Sequence, residues 1–224
     1  MIDTSAARTE VLRRIRAAIA TDASRAPSAT PEAIDISWQA IERSYRHAAS
    51  HDREALLELF EDRLRDYDAG VYRCAEAEVP ALIARVLSER GRHTLAIPEG
   101  LPAEWLPQGI SLVLDDRIGI AAIDACDGVL TSATLAIAET GTIVLQDAPG
   151  QGRRAITLLP DYHLCVVRAE TLVQTVPEAM RALESTAALA TTFFSGPSAT
   201  ADIEMTRIKG VHGPRFVDVI LIVE

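Results

Sequence analysis

Short apolar runs, several of them continuous, alternate with amphipathic segments from about Ser50 onward. Continuous runs, in contrast to runs with only every second residue apolar, are typical of strands that are covered on both faces of a sheet. The first amphipathic segment places Leu56, Leu57, Phe60 and Leu64 on one side of a predicted helix and charged residues on the other. The alternation predicts βαβ units, and therefore a largely parallel sheet covered by helices.

The predicted strands are Gly70–Cys74, Thr94–Ile97, Leu112–Leu114, Gly128–Leu130, Leu135–Ile137, Ile143–Leu145, Leu164–Val167 and Val217–Val223. A helix is predicted from Val79 to about Glu89, ended by Gly91. The strands between residues 128 and 145 follow one another too closely for crossover helices, so we expect a hairpin or a local antiparallel excursion there. The predicted fold class is therefore α/β, with a mixed, largely parallel sheet.

The N-terminal segment, residues 1–21, is predicted to form an amphipathic helix whose apolar face consists of Val11, Leu12, Ile15, Ala18 and Ile19. Docking to a partner is favoured over binding to a membrane surface, because acidic residues dilute the charge of its arginines. Residues 22–35 contain Ser, Pro, Thr and Ala with little periodicity and are predicted as a linker. Residues 36–224 are then predicted as a single α/β domain.

The overall charge excludes some classes of function. The 224-residue chain carries a formal net charge of -10, whereas binding of nucleic acid requires a basic face. The apolar runs are too short to span a bilayer, and the N-terminus lacks the apolar core of a signal peptide. We therefore expect no nucleic-acid partner and no membrane insertion, and we predict a cytoplasmic location.

The cysteines offer no redox or metal motif. Cys74, Cys126 and Cys165 lie in separate apolar segments without a CxxC pair, and are predicted to be buried free thiols. The sequence also lacks HExxH, Walker A, GxSxG and dinucleotide-binding motifs. No resident metal is expected.

The most unusual charged residue is Glu139, which lies in the apolar run AIAETGTIVL and is followed by Thr140, Gly141 and Thr142. Two interpretations are open. The carboxylate can face solvent at the edge of a sheet while Gly141 serves the turn. Alternatively, apolar surroundings raise the pKa of the carboxyl group and suit it to proton transfer or to attack on an activated acyl group.

A second candidate stretch, residues 195–202, is rich in small hydroxyl side chains. Its candidate ligand-binding residues are Ser195, Gly196, Ser198, Thr200 and Asp202. If the stretch opens a helix, its N–H groups and hydroxyls make a cradle for phosphate or carboxylate. The alternative is a simple helix N-cap by Ser198, Thr200 or Asp202.

Two further stretches contain candidate ligand contacts. Arg153 or Arg154 suits anion binding, although paired arginines in a loop are also typical of solvated surface. His212 can act as a general acid or base, or hold the turn before the last strand by hydrogen bonds. His163 borders a buried strand and is predicted to pack there.

Three ordered blocks resemble the lactate-utilisation protein C family of the LUD-domain group: GVLTSATLAIAETGTIVL at 128–145, GRRAITLLPDYHLCVV at 152–167 and SGPSATADIEMTRIKGVHGPR at 195–215. The resemblance implies a fold similar to the superfamily of sugar-phosphate isomerases, CoA-transferases and 5-formyltetrahydrofolate cyclo-ligase. It also implies a role beside two iron–sulfur partner proteins in oxidising L-lactate to pyruvate.

The resemblance also implies a cleft. It would contain Glu139, Thr140, Gly141, Ser195, Gly196, Ser198, Thr200 and Asp202. The cysteine-rich motifs of the partner proteins are missing here, so iron–sulfur clusters are expected on the partners and not on this chain. In CoA-transferase relatives a glutamate attacks the thioester, and the resemblance makes Glu139 the candidate for that position, although AETGT departs from the Glu-Asn-Gly form of many transferases.

Three functional hypotheses follow. The leading one is an accessory or substrate-handling subunit of a lactate-oxidising system, with a cleft for a small carboxylate or a phosphorylated or CoA-like ligand. The second is a stand-alone acyl-transfer or isomerase-like enzyme that uses Glu139 as nucleophile or base. The third is a non-catalytic scaffold that docks a partner through the N-terminal helix.

Overall fold

The computed structural model describes residues 4–21, 30–46, 50–201, 207–210 and 212–223. By its internal contacts the chain divides into two compact units, Met1–Tyr45 and Arg46–Glu224. The second unit contains the sheets and the candidate functional residues.

The α-helices of the described residues are α1 (Thr4–Thr21), α2 (Pro31–Gln39), α3 (Arg53–Asp66), α4 (Val79–Glu89), α5 (Ile120–Asp124), α6 (Arg154–Leu158) and α7 (Val176–Ala182). The strands described are β1 (Gly70–Cys74), β2 (Thr94–Ile97), β3 (Ser111–Leu114), β4 (Gly128–Ser132), β5 (Leu135–Ile137), β6 (Thr142–Gln146), β7 (Tyr162–Arg168), β8 (Leu172–Val173), β9 (Thr191–Phe194), β10 (Ala199–Ala201), β11 (Arg207–Lys209) and β12 (Phe216–Ile222). Single 3₁₀ turns occur at Glu76–Glu78, Ala103–Trp105, Ala169–Thr171 and Glu184–Thr186.

The N-terminal unit contains α1 and α2. Val11, Leu12 and Ile15 of α1 have exposed side chains. The linker prediction is wrong for residues 31–35, which form the first half of α2. Pro31 opens this helix at a position where a proline needs no N–H partner, so proline does not mark irregular chain here. The rest of the predicted linker, residues 22–29, lies outside the described residues.

The predicted α/β class is confirmed by a six-stranded sheet in the order β1-β12-β7-β4-β2-β3, in which every neighbouring pair is parallel. The predicted hairpin also forms, between β5 and β6. It belongs to a second sheet, in the order β8-β5-β6-β9. The antiparallel pairing thus lies beside the parallel sheet and not within it.

The central strands are largely apolar because both of their faces are covered. On one face, α4 packs Val79, Ile83 and Val86 against the sheet. On the other face, α3 contributes Phe60 and Leu64 to a core shared with the second sheet. Helix α7 covers the outer side of β5 and β6.

Two loops meet beyond the carboxyl ends of β2 and β4. From β2 the chain runs to the edge strand β3 and returns on the other side of β2 as β4. Gly150 lies between them, since its N–H donates to Glu99 O over 2.6 Å and its carbonyl accepts from Ser132 N over 2.7 Å. Its φ of 78° is one that glycine adopts without strain. The loop that precedes α6 is therefore fixed against the sheet.

Candidate functional site

Glu139 lies in the turn between β5 and β6, with its side chain 29% exposed. Its carboxylate forms an ion pair with Arg46 and accepts a hydrogen bond from Gln174 Nε2 over 3.0 Å. Gln174 is itself fully buried, and its Oε1 accepts from Ser50 N and His51 N. Glu139 is thus a partnered carboxylate that ties the turn to the chain before α3. A catalytic role for it stays a prediction.

A chain of hydroxyl groups links this turn to the third sequence block. Thr140 Oγ1 lies 2.7 Å from Thr142 Oγ1, which lies 2.8 Å from Ser195 Oγ. Gly141 between the two threonines has a φ of 59°. A Cβ on it would lie 2.8 Å from that of Arg63 in α3, so the turn requires glycine here. The first and third blocks therefore come together in space.

Within its described part, residues 195–201, the stretch forms no helix, so the predicted helix start at Ser198 or Thr200 is wrong. Residues Ala199–Ala201 form β10, which pairs antiparallel with β11. Ser198 is bound on three sides: its N–H donates to Pro214 O, its carbonyl accepts from Gly210 N, and its Oγ accepts from His212 N. The hydroxyl therefore supports a strand connection. Thr200 lies opposite Ile208 in the pair, and Asp202 is outside the described residues.

A cavity of about 250 Å³, here called the Arg154 cavity, is bordered by the 195–199 segment. Its polar lining consists of Arg154, Thr157, His163, Ser195, Ser198 and His212. Four of the predicted ligand-binding residues thus border one space, since Gly196 also lines it. Glu139, Thr140, Gly141, Thr142 and Arg153 do not.

The two adjacent arginines have different surroundings. Arg153 donates from Nε and Nη2 to the carboxylate of Asp115 over 2.8 and 2.7 Å, and from Nη2 to Ile118 O. This bidentate contact lowers the pKa of Asp115. Arg154 donates only to the carbonyl and hydroxyl of Thr157, three residues on in α6, and has no carboxylate partner among the described residues. Arg153 therefore anchors a loop, and Arg154 borders the cavity.

His163 packs inside the protein as predicted, and it also forms the floor of the Arg154 cavity. Its Nε2 is 2.8 Å from Thr131 Oγ1, and its ring lies 5.2 Å from that of Phe194. Burial, together with the charge of Arg154, lowers the pKa of His163 to about 3. The floor is therefore uncharged at neutral pH. One sequence signal indicates this role, the position of His163 at the start of a buried strand.

The cysteines are buried free thiols, as predicted. Burial raises the pKa of Cys165 to about 12, so this thiol is neutral and inert at neutral pH. Within the described ranges, no group of three or more His, Cys, Asp and Glu side chains is placed to hold a metal ion. No helix in the described part of the chain has the length and apolarity that a bilayer crossing requires.

A larger cavity, here called the strand-end cavity, lies beyond the carboxyl ends of β2 and β3 and measures about 610 Å³. Its charged lining consists of Glu99, Asp115, Arg117, Asp147 and Arg153. Three carboxylates against two guanidinium groups make it net acidic, and one guanidinium is already paired with Asp115. This charge balance disfavours an anionic ligand.

The parallel six-stranded sheet with helices on both faces and the second, antiparallel-rich sheet define an α/β protein. Residues 57–222 match the LUD domain family. The chain therefore belongs to the LUD domain family, and the resemblance found in the three sequence blocks is confirmed.

Two curated relatives and one solved structure show how far the similarity extends. The chain is 40% identical to lactate utilization protein C of Deinococcus radiodurans, over 98% of this chain and 97% of that protein. It is 30% identical to the uncharacterized protein YkgG of Escherichia coli, over 66% of this chain and 71% of that protein. A crystal structure of a DUF162 family protein from Deinococcus radiodurans superposes with a TM-score of 0.67 at 37% identity, covering 78% of this chain and 100% of that one.

Proposed function

We propose that this chain is a component of an L-lactate utilisation system that oxidises lactate to pyruvate, and that it acts as a substrate-handling subunit beside iron–sulfur partner proteins. The observation that carries the proposal is the similarity to lactate utilization protein C, because it extends over 98% of this chain at 40% identity. A similarity of this extent includes both sheets and the segments that border the Arg154 cavity.

The cysteine content of the chain supports a division of labour between subunits. An iron–sulfur cluster is ordinarily held by four cysteine thiolates. This chain has three cysteines, and all three are buried in separate segments of the chain. In the proposed system the partner proteins hold the clusters and accept the electrons, while this chain binds the small carboxylate.

Glu139 has a positioning role in this proposal. The turn that Glu139 anchors through Arg46 and Gln174 reaches Ser195 through the hydroxyl groups of Thr140 and Thr142. Ser195 in turn lines the Arg154 cavity. The carboxylate of Glu139 thus positions Ser195, on one wall of the cavity, without lining the cavity itself.

The experiment is lactate-dependent reduction of an artificial dye by the two iron–sulfur proteins, with and without this chain. We expect the rate to require the chain. Full-rate lactate oxidation by the partner proteins alone would overturn the proposal. The Glu139→Gln form tests the positioning role: a raised KM for lactate at unchanged kcat supports it, and a lost kcat at unchanged KM would instead support catalysis by Glu139.

A further inference from the structure

Among the described residues, Arg154 has no carboxylate partner. Its guanidinium hydrogen-bonds there only to the carbonyl and hydroxyl of Thr157, and Arg154 lines a cavity. Surrounding protein atoms lower the pKa of Arg154 by desolvation. Every other described arginine whose pKa departs from its usual value has it raised, with a carboxylate partner as the largest cause. A cation that is desolvated and lacks a counter-ion raises the free energy of the folded protein, and binding of an anionic ligand offsets that cost.

A hydroxyl donor stands in the same cavity. Ser198 Oγ accepts from His212 N over 3.1 Å, and its own O–H hydrogen has no acceptor among the described residues. A serine hydroxyl can donate one hydrogen bond while it accepts another. Ser198 is therefore fixed by the backbone around it with its donor unused, and it lines the same cavity as Arg154, whose guanidinium has spare N–H groups.

We propose that the Arg154 cavity binds a short-chain monocarboxylic acid, with the carboxylate on the Arg154 guanidinium and the Ser198 hydroxyl. This inference rests on the proposed function, which it deepens by naming the residues and the ligand class. A guanidinium matches a carboxylate because two parallel N–H groups can meet its two oxygens.

The size and the apolar walls of the cavity select a short chain. Pockets for drug-sized ligands measure roughly 300–1,000 Å³, and this cavity measures about 250 Å³. Its apolar lining consists of Leu145, Phe194, Pro197, Ala199, Pro214 and Val217. A methyl or ethyl group finds apolar contacts there, whereas a CoA moiety exceeds the space.

The charge of the cavity selects a monoanion. Arg154 is the only permanently charged side chain among the described residues that line it. His163 is neutral because burial lowers its pKa to about 3. One positive charge balances a carboxylate, whereas a phosphate group carries close to two negative charges at neutral pH. The strand-end cavity, with its net acidic lining, does not offer this balance.

The test is isothermal titration calorimetry of the full chain with L-lactate, pyruvate, inorganic phosphate and CoA. We expect L-lactate or pyruvate to bind, and Arg154→Gln to raise the dissociation constant at least tenfold, in line with the loss of a charge-assisted hydrogen bond. Arg85→Gln is the matched control, since Arg85 is an exposed arginine of α4 outside this cavity. This control should bind as the wild type does.

A second variant fills the cavity without changing its charge. Ala199 lines the cavity and is exposed at the start of β10, so Ala199→Leu should fold normally and also weaken binding at least tenfold. Unchanged binding in both Arg154→Gln and Ala199→Leu would overturn the site, as would preferential binding of phosphate or CoA.

The two proposals fail in different ways. If the Arg154→Gln variant loses carboxylate binding but the dye assay does not need the chain, the site stands and the lactate-oxidation role falls. If the dye assay needs the chain but Arg154→Gln changes neither the dissociation constant nor the KM for lactate, the role stands and the site falls.

Discussion

Gly196 fixes the shape of the segment that borders the Arg154 cavity. Its φ is 74°, in the left-handed region that other residues rarely adopt. A Cβ at this position would lie 2.5 Å from the Cβ of Tyr67, at the end of α3. The backbone conformation and the close approach therefore both require glycine.

Gly196→Ala should lower the free energy of unfolding by about 3 kcal/mol, from left-handed strain of roughly 1–2 kcal/mol and an additional packing clash. Gly91→Ala is the matched control: Gly91 has a φ of 61°, but nothing lies within 4 Å of an added Cβ. It should cost about 1 kcal/mol from strain alone. Urea unfolding of both variants measures the difference, and equal losses would show that Tyr67 moves aside.

At the level of single residues, the sequence revealed the types of candidate side chains but not their partners. Glu139 stood out in an apolar run, yet Arg46 and Gln174 come from distant segments that no local pattern connects to it. Arg153 and Arg154 are the same residue type in adjacent positions. Only the start of α6 decides which of them meets Asp115 and which faces the cavity.

The end of α4 is tied to β12 by a buried charged contact. Arg90, the C-cap residue of α4, donates to both carboxylate oxygens of Asp218 over 2.8 and 2.7 Å. Asp218 is fully buried and also accepts from Tyr162 Oη over 3.0 Å. The contact fixes the helix against the two central strands β7 and β12.

Arg90→Met should lower the free energy of unfolding by about 3 kcal/mol, because it leaves a buried carboxylate without its cation. The value is at the low end for such pairs, since the side chain of Arg90 is 37% exposed and water can partly replace it. Arg85→Met is the control at an exposed position of the same helix, and it should change the free energy of unfolding by less than about 0.5 kcal/mol. Thermal unfolding of the two variants measures the difference in stability. Similar losses of stability in both would mean that Arg90→Met acts through helix propensity and not through the contact with Asp218.

At the level of elements, the apolar runs correctly predicted β1 to β7 and β12, because covered strands have a local signature. The short strands β8 to β11 have no such signature and are not predicted. The division of the strands into two sheets has no such signature either. The pairing of β6 with β9 joins segments about 50 residues apart in the chain, and it is decided by packing on α3 and α7. The 195–202 stretch is typical of a helix start in its sequence, yet residues 199–201 form a strand. Serine and threonine are common both at helix N-caps and in turns between strands, so the residue types do not distinguish the two.

At the level of the whole molecule, the two cavities lie at different ends of the parallel sheet. The strand-end cavity occupies the carboxyl ends of β2 and β3, where open α/β sheets usually bind ligands. The Arg154 cavity lies near His163 and Val217, at the amino ends of β7 and β12. Fold class alone would favour the first location, whereas charge and size favour the second for a small carboxylate.

The stability of the whole molecule should depend on pH through His163. Its pKa is lowered to about 3 in the folded chain, against an ordinary value of 6.5. Below that ordinary value the unfolded chain binds a proton that the folded chain excludes. The free energy of unfolding should therefore fall as the pH falls, by up to about 1.4 kcal/mol per pH unit from this one group.

His163→Leu should make this slope shallower between about pH 6.5 and pH 4.5, whatever its effect on stability at neutral pH. In this pH range the slope reports on His163 and not on Asp115 or Asp127. The pKa values of these two aspartates are lowered in the folded chain, so the stability that they contribute is lost only at a pH below the ordinary range of aspartate. Thr131→Val is the control: it removes the hydrogen-bond partner of His163 but keeps the buried imidazole, so the slope should persist. Urea unfolding at several pH values gives the slopes. Equal slopes in wild type and His163→Leu would mean that the folded chain admits the proton, and the neutral floor assigned to the Arg154 cavity would then be wrong.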